Sequence, residues 1–266
     1  MNGECLRRLT TLMGSVAILS AHAAFAQTVP SLGAAQTFAV LAGSSVNSTG
    51  ATMLMGDLGV SPGSAITGFP PGRVLGTTHL ADGIALAAQN SVAVAYNALA
   101  AQTCTKDFFG SGTLTPGVYC YSTGSNVVFS TTLDAQGDPN AIFIFKVAGD
   151  LATESCGIPR PCTTVALMNG GSPCNVFWQV AGSAYLRADT SLVGNILALT
   201  NITLEPGVTV AGRLLTRNGS LTLDTSSASA TCSTVVPTLP WRFVVFLAAG
   251  LVGLGYFRLR GLRPTT

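Results

Sequence analysis

Three groups of side chains in this 266-residue chain have the means to do acid–base, nucleophilic or metal chemistry. Asp134 and Asp138 stand four residues apart in Asp134-Ala135-Gln136-Gly137-Asp138-Pro139-Asn140. Paired carboxylates can serve as acid and base in polysaccharide cleavage. However, Asp, Gly, Asn and Pro in such density are the composition of a tight turn. His79 has no Ser or Cys elbow near it, so its types of neighbour point to a helix start or to packing. Cys104, Cys120, Cys156, Cys162, Cys174 and Cys232 are even in number, contain no Cys-x-x-Cys pair, and have His79 as their single imidazole beyond residue 26. That pattern reads as disulfides and not as a metal site. The sequence-local pairing, Cys104 with Cys120, Cys156 with Cys162 and Cys174 with Cys232, is preferred among the many possible ones. The Pro-rich interior of Cys156 to Cys162 also marks that pair as structural. No catalytic residue, metal or cofactor is assigned, and the chain is not expected to be an enzyme.

The two ends read as targeting segments. Arg7 and Arg8, an apolar run from Leu12 to Leu19 and the pattern Ala24-Phe25-Ala26 make residues 1–26 a signal peptide, which signal peptidase would remove ahead of Gln27. Cys5 leaves with it. Residues 236–266 join Val236-Pro237-Thr238-Leu239-Pro240-Trp241 to an apolar run from Phe243 to Phe257 and to Arg258, Arg260 and Arg263. An interfacial tryptophan and a positive flank orient such a helix in a membrane. The order of motif, apolar helix and Arg cluster resembles bacterial C-terminal sorting signals of the PEP-CTERM class, in the IPTL variant. That resemblance implies handling by an exosortase-type enzyme. The protein is therefore expected to be exported, secreted or held at the cell surface, with the C-terminal helix as a membrane anchor before processing.

Between these ends lies one domain, residues 27–235. Residues 27–236 hold seven Lys and Arg against ten Asp and Glu, so the formal +2 of the whole chain comes from its ends. Nothing there forms a basic footprint for nucleic acid. Leu80 to Gln102 is Ala-dominated, with Ile84, Ala87, Ala88, Ser91, Val92, Ala95, Tyr96 and Leu99 at three- and four-residue spacing. This predicts one long helix with a small-residue face.

Elsewhere, short apolar alternations broken by Gly, Pro, Asn and Asp predict strands. Ile202-Thr203-Leu204 and Leu221-Thr222-Leu223 repeat one pattern, and Ser191-Leu192-Val193 and Val208-Thr209-Val210-Ala211 repeat another. Spacings of about 17 to 19 residues are those of a parallel β-helix coil. Alternation sends Leu192, Ile202, Val210 and Leu221 inward and Ser191, Thr203, Thr209, Ala211 and Thr222 outward. β-Propensity alone would also supply such threonines.

The segments "TFAVLAGSSVNSTGATMLMGDLGVSPGSAITGFPPG", "TLDAQGDPNAIFIFKV", "CNVFWQV" and "GNILALTNITLEPGVTVAGRLLTRNGSLTLD" resemble the DUF3494 family of ice-binding proteins, from about Thr37 to Asp224. The resemblance implies a mainly β fold: a discontinuous parallel β-helix of triangular cross-section with one long helix alongside. It also implies ice as the partner, met by one flat face without catalytic residues or cofactor. The candidates for that face are Thr52, Ser191, Thr209 and Ala211 on one ladder and Thr203 and Thr222 on another. Met53 and Met55, and Tyr185 and Arg187, interrupt the ladders, which favours recrystallisation inhibition or ice adhesion over strong freezing-point depression. The rival reading is a cell-surface or matrix structural protein on the same scaffold. A carbohydrate-active enzyme is a third.

Overall fold

The structure, a computed structural model, describes residues 29–107, 111–121, 130–157 and 161–231. The expected signal and C-terminal helices, and Cys232, lie outside these residues. Among the described residues the strands form three wholly parallel sheets of nine, eight and six strands, with one α-helix, α1 (Gly83–Ala100). The chain visits the sheets in rotation. Phe38–Ala42 lies in the nine-stranded sheet, Ser45–Ser48 in the six-stranded and Met53–Met55 in the eight-stranded, and Asp57–Val60 begins the next coil.

The winding is discontinuous. After Thr78–Leu80, at one end of the nine-stranded sheet, α1 carries the chain away, and Lys106–Asp107 restarts at the opposite end. Eight strand spacings cover about 38 Å. An 18-residue helix supplies about 27 Å of that, and its flanking residues supply the rest. The chain then winds back until Leu214–Thr216 pairs with Phe38–Ala42, Leu221–Leu223 with Ser45–Ser48, and Ser227–Ser229 with Met53–Met55. The last coil thus lands on the first.

The nine-stranded sheet is buried on both faces, as parallel strands under a helix must be. Val40, Leu214, Ile196, Trp178 and Phe145 stack inside the coil. The Phe145 and Trp178 rings lie 4.0 Å apart between centroids, and the indole N–H donates to the Val193 carbonyl at 3.0 Å. Outward, Leu41, Leu215, Leu197, Phe177, Ile144 and Val118 meet Ala85, Ala88, Val92, Ala95, Tyr96 and Leu99 of α1. The helix is a little shorter than Leu80 to Gln102 and slightly rotated from expectation: Ile84 is exposed and Ala85 is fully buried. Alanines let the helix axis approach the sheet, and buried polar groups reach sheet carbonyls. Gln89 donates to Thr216 O, and the Tyr96 hydroxyl donates to Val180 O.

Both ends of α1 are fastened by charge. Lys146 Nζ donates to the Gln102 carbonyl at 2.7 Å, where the helix dipole favours a cation. Asp82 is the N-cap, accepting from Ala85 N–H at 2.8 Å, and its other oxygen meets His79 Nδ1 at 2.7 Å. His79 therefore fixes the helix start, as its sequence context suggested. The Ala85 N–H, and then the His79 ring, hold the Asp82 carboxyl below its ordinary value.

The seam between first and last coils is closed by Arg213, which is 4% exposed. It donates to the Gln36 carbonyl at 2.9 and 2.6 Å, to Asn195 Oδ1 at 2.9 Å and to the Ala230 carbonyl at 3.1 Å. Disulfides Cys104–Cys120 and Cys156–Cys162 are formed, with Cα atoms 5.7 and 4.3 Å apart. Cys174 is also disulfide-bonded, and its expected partner, Cys232, is outside the described residues.

Two stability predictions follow from these contacts. Arg213→Leu strands buried acceptors and is expected to cost about 2–4 kcal/mol in denaturant unfolding. For Asp82 the folded-state pKa lies below the unfolded one, so its contribution is complete above the ordinary carboxylate pKa and is lost as pH falls through the folded value. Asp82→Ala should melt below the parent at pH 7, and the gap should close under about pH 4.

Candidate functional site

With α1 covering the nine-stranded sheet, the other two sheets carry exposed outward residues on their outer surfaces among the described residues. On the eight-stranded sheet, Thr209 pairs with Ser191 on one side and Ser227 on the other, and Ser191 pairs with Thr164, which pairs with Ser130. A second outward column runs through Ser229, Ala211 and Val193 and continues through Ala166 and Thr132. Between these columns Ala228, Val210, Leu192 and Val165 point inward and are buried. The ten residues of these two columns are Ser, Thr, Ala or Val, and on the two strands farthest from Ser227 a third outward position is held by Asp134 and Met168. The plane extends about 19 Å along the stack.

The strands meet the nine-stranded sheet through glycine corners. Gly212 has φ 158° and Gly194 φ 113°, and a Cβ on Gly212 would strike the Gly194 carbonyl. The corner can therefore turn tightly without a side chain rising at the rim. Beyond Ser227 and Ser229 the face ends at Met53 and Met55.

Along the six-stranded sheet one outward line runs, in order, through Thr67, Asn47, Thr222, Thr203, Tyr185 and Ala152, of which Ala152 is buried, and Ala65 and Ser45 start a second line on the first two strands. Neighbouring side chains hold one another. Thr67 donates to Asn47 Oδ1 at 2.7 Å, and the Ser220 hydroxyl and N–H both donate to Asn201 Oδ1, at 3.1 and 2.9 Å. Arg187 and Glu205 pair at 2.6 Å beside this ladder.

The structure thus brings Ser191, Thr209 and Ala211 together on one face and Thr203 and Thr222 on another, related by the coil's corner. Thr52 belongs to neither. It is 1% exposed and accepts the Ser48 hydroxyl at 3.0 Å. The reason is parity: Thr52 lies two residues from inward Leu54, so alternation sends it inside. Asn47 and Thr67 were missed because their ladder neighbours are set by the return of the chain. Asn47 abuts Thr222, and no periodicity spans that separation.

The side chains first suspected of chemistry are occupied in holding the fold. Asp134 Oδ1 accepts from Asn169 Nδ2 at 2.6 Å and from Gln136 N–H at 2.8 Å, and these bonds, in that order, hold its carboxyl below the ordinary value. Asp138 accepts from Asn140 N–H at 2.8 Å within the same turn, where Gln136 and Gly137 have φ 54° and 83°. An acid catalyst needs the opposite shift. A shallow groove of about 490 Å³ is lined, among the described residues, by Gln36, Thr37, Met55, Gly56, Leu75, Ala230 and Thr231, none of them titratable. Among the described residues no three His, Cys, Asp or Glu side chains gather to hold a metal.

This geometry defines a class: a helix-flanked, discontinuous β-helix that presents flat planes of short side chains instead of a pocket. Residues 40–229 match the family described as ice-binding-like, and the chain belongs to that family. An ice-binding protein of Nostoc sp. (strain HG1) is 42% identical over 96% of each chain. The crystal structure of an ice-binding protein from an Antarctic biological consortium superposes with a TM-score of 0.69 at 42% identity, covering 76% of this chain and 91% of that one. That of an ice-binding protein from the ascomycete Antarctomyces psychrotrophicus gives 0.72 at 34% identity, covering 77% and 100%.

Burial separates the outward threonine from the inward one. Thr209→Tyr, on the open plane, is expected to change stability by no more than about 0.5 kcal/mol. Thr52→Tyr overfills a closed site and should cost about 1–3 kcal/mol in the same unfolding measurement.

Proposed function

We propose that this protein adsorbs to ice, chiefly through the open face of the eight-stranded sheet, with Ser191, Thr209 and Ala211 in the contact plane. The observation that carries this reading is the double column of uncharged short side chains held in register over five strands. The relatives named as ice-binding proteins support it. Ice has neither charge nor pocket, so affinity must be summed from many weak contacts on a surface that loses little entropy on binding. Threonine offers a methyl and a hydroxyl that can order water, and its branched Cβ confines both to few rotamers.

The ladder through Thr203 and Thr222 is the second, narrower contact plane, with Thr67 bonded to Asn47 along it and Ser220 to Asn201 beside it. Because Met53, Met55 and Tyr185 bound the two planes, the activity we assign is recrystallisation inhibition or ice adhesion and not strong freezing-point depression. The formed disulfides fit an oxidising compartment outside the cytosol, in keeping with export by the N-terminal signal and sorting at the C-terminus.

Ice-crystal shaping and recrystallisation inhibition by the mature domain test the reading directly. The parent should shape crystals, Thr209→Tyr should lose most of that activity, and Thr222→Tyr should lose less. A parent without effect on ice would leave the surface or matrix structural role as the better description. Release of soluble sugar from polysaccharide would instead indicate an enzyme.

A further inference from the structure

Tyr185 is the one bulky side chain set into the outward ladder of the six-stranded sheet. Register places it between Thr203 and Ala152. Its strand neighbours Ala184 and Leu186 are fully buried, so alternation puts the phenol ring on the open face, where Tyr185 is 38% exposed. On the near side four rungs, Thr203, Thr222, Asn47 and Thr67, carry short polar groups. On the far side Ala152 is buried, so position 185 is the last open rung.

Resting on the ice-contact reading above, we propose that Tyr185 is the residue that sets the extent of ice contact on this face. A protein partner can shape itself around a protruding ring. A crystal plane has no such freedom, so the ring lifts it off the rung that bears the ring. Contact is thereby confined to the four rungs from Thr203 to Thr67. Replacing the ring with a threonine would continue the ladder over five rungs, through position 185.

The strand does not depend on the phenol for its place. The Tyr185 carbonyl accepts from Thr153 N–H at 3.0 Å, Arg187 N–H donates to Thr153 Oγ1 at 2.8 Å, and the Ser183 and Thr200 hydroxyls are bonded at 2.7 Å. Threonine is itself well suited to a pleated strand. Tyr185→Thr is therefore expected to keep the parent's melting temperature and to change the face alone.

The experiment compares recrystallisation inhibition by the parent, Tyr185→Thr, Tyr185→Phe and Thr222→Tyr, with melting curves for each. The added rung extends an interface whose orientational cost is already met, so Tyr185→Thr should act at a roughly two- to tenfold lower concentration than the parent. Tyr185→Phe, which keeps the ring, should match the parent. An equal gain from Tyr185→Phe would place the effect in the hydroxyl and overturn the proposal. So would an unchanged or weaker Tyr185→Thr that melts like the parent while Thr222→Tyr is impaired; the ice-contact reading would then stand without it. Thr222→Tyr indistinguishable from an active parent would remove the six-stranded face, and this proposal with it, leaving the eight-stranded face. An inactive parent would end both.

Discussion

The parallel pairing of each coil with the next, residue opposite residue, is the constraint from which the rest of the molecule follows. Side chains alternate with a period of two, so a slip of one residue would turn every core residue outward. Here the inward column of the nine-stranded sheet is built from Val40, Leu214, Ile196, Trp178 and Phe145, and such a slip would exchange them with the residues that pack under α1. The same register that closes the core lines up Ser191, Thr209 and Ser227 outside it. Core and candidate binding plane are two sides of one arrangement.

That arrangement has a weak point where the chain's first coil lands on its last. The strands there are separated by most of the sequence, and closing so long a loop is entropically costly before contacts repay it. Arg213 stands at this seam, tying Gln36, Asn195 and Ala230 together. A buried guanidinium is costly in isolation, and here its donors are spread over carbonyls from both coils. α1 does related work along the other side, where its N-cap Asp82 and the Lys146 cation at its C-terminus hold the bridge between the two ends of the stack.

A surface that meets a crystal needs flatness, rigidity and freedom from charge more than it needs reactive groups. The distribution of residues reflects that division. The carboxylates of Asp134 and Asp138 are spent on a turn, His79 on a helix start, and Cys104, Cys120, Cys156 and Cys162 on bridges. The two outward columns of the eight-stranded sheet carry serine, threonine, alanine and valine. Glycine at the corners keeps the rim low, and the side-chain bonds beside Asn201 and Asn47 limit motion within the narrower face.

Much of this was legible in the chain itself, because it rests on local pattern. The 17- to 19-residue strand spacing, the inward Leu192, Val210, Ile202 and Leu221, the long alanine-rich helix and the two local disulfides all follow from residue type, alternation and short separation. Thr52 was readable too, since its parity with Leu54 places it inside. What the sequence could not supply was adjacency across the seam. That Asn47 lies beside Thr222, that Met53 bounds the face of Ser227, and that Thr203 and Thr209 look out from different planes are consequences of where α1 returns the chain and how the coil turns. Periodicity decides which way a side chain points, whereas only the closed stack decides which other side chains share its plane.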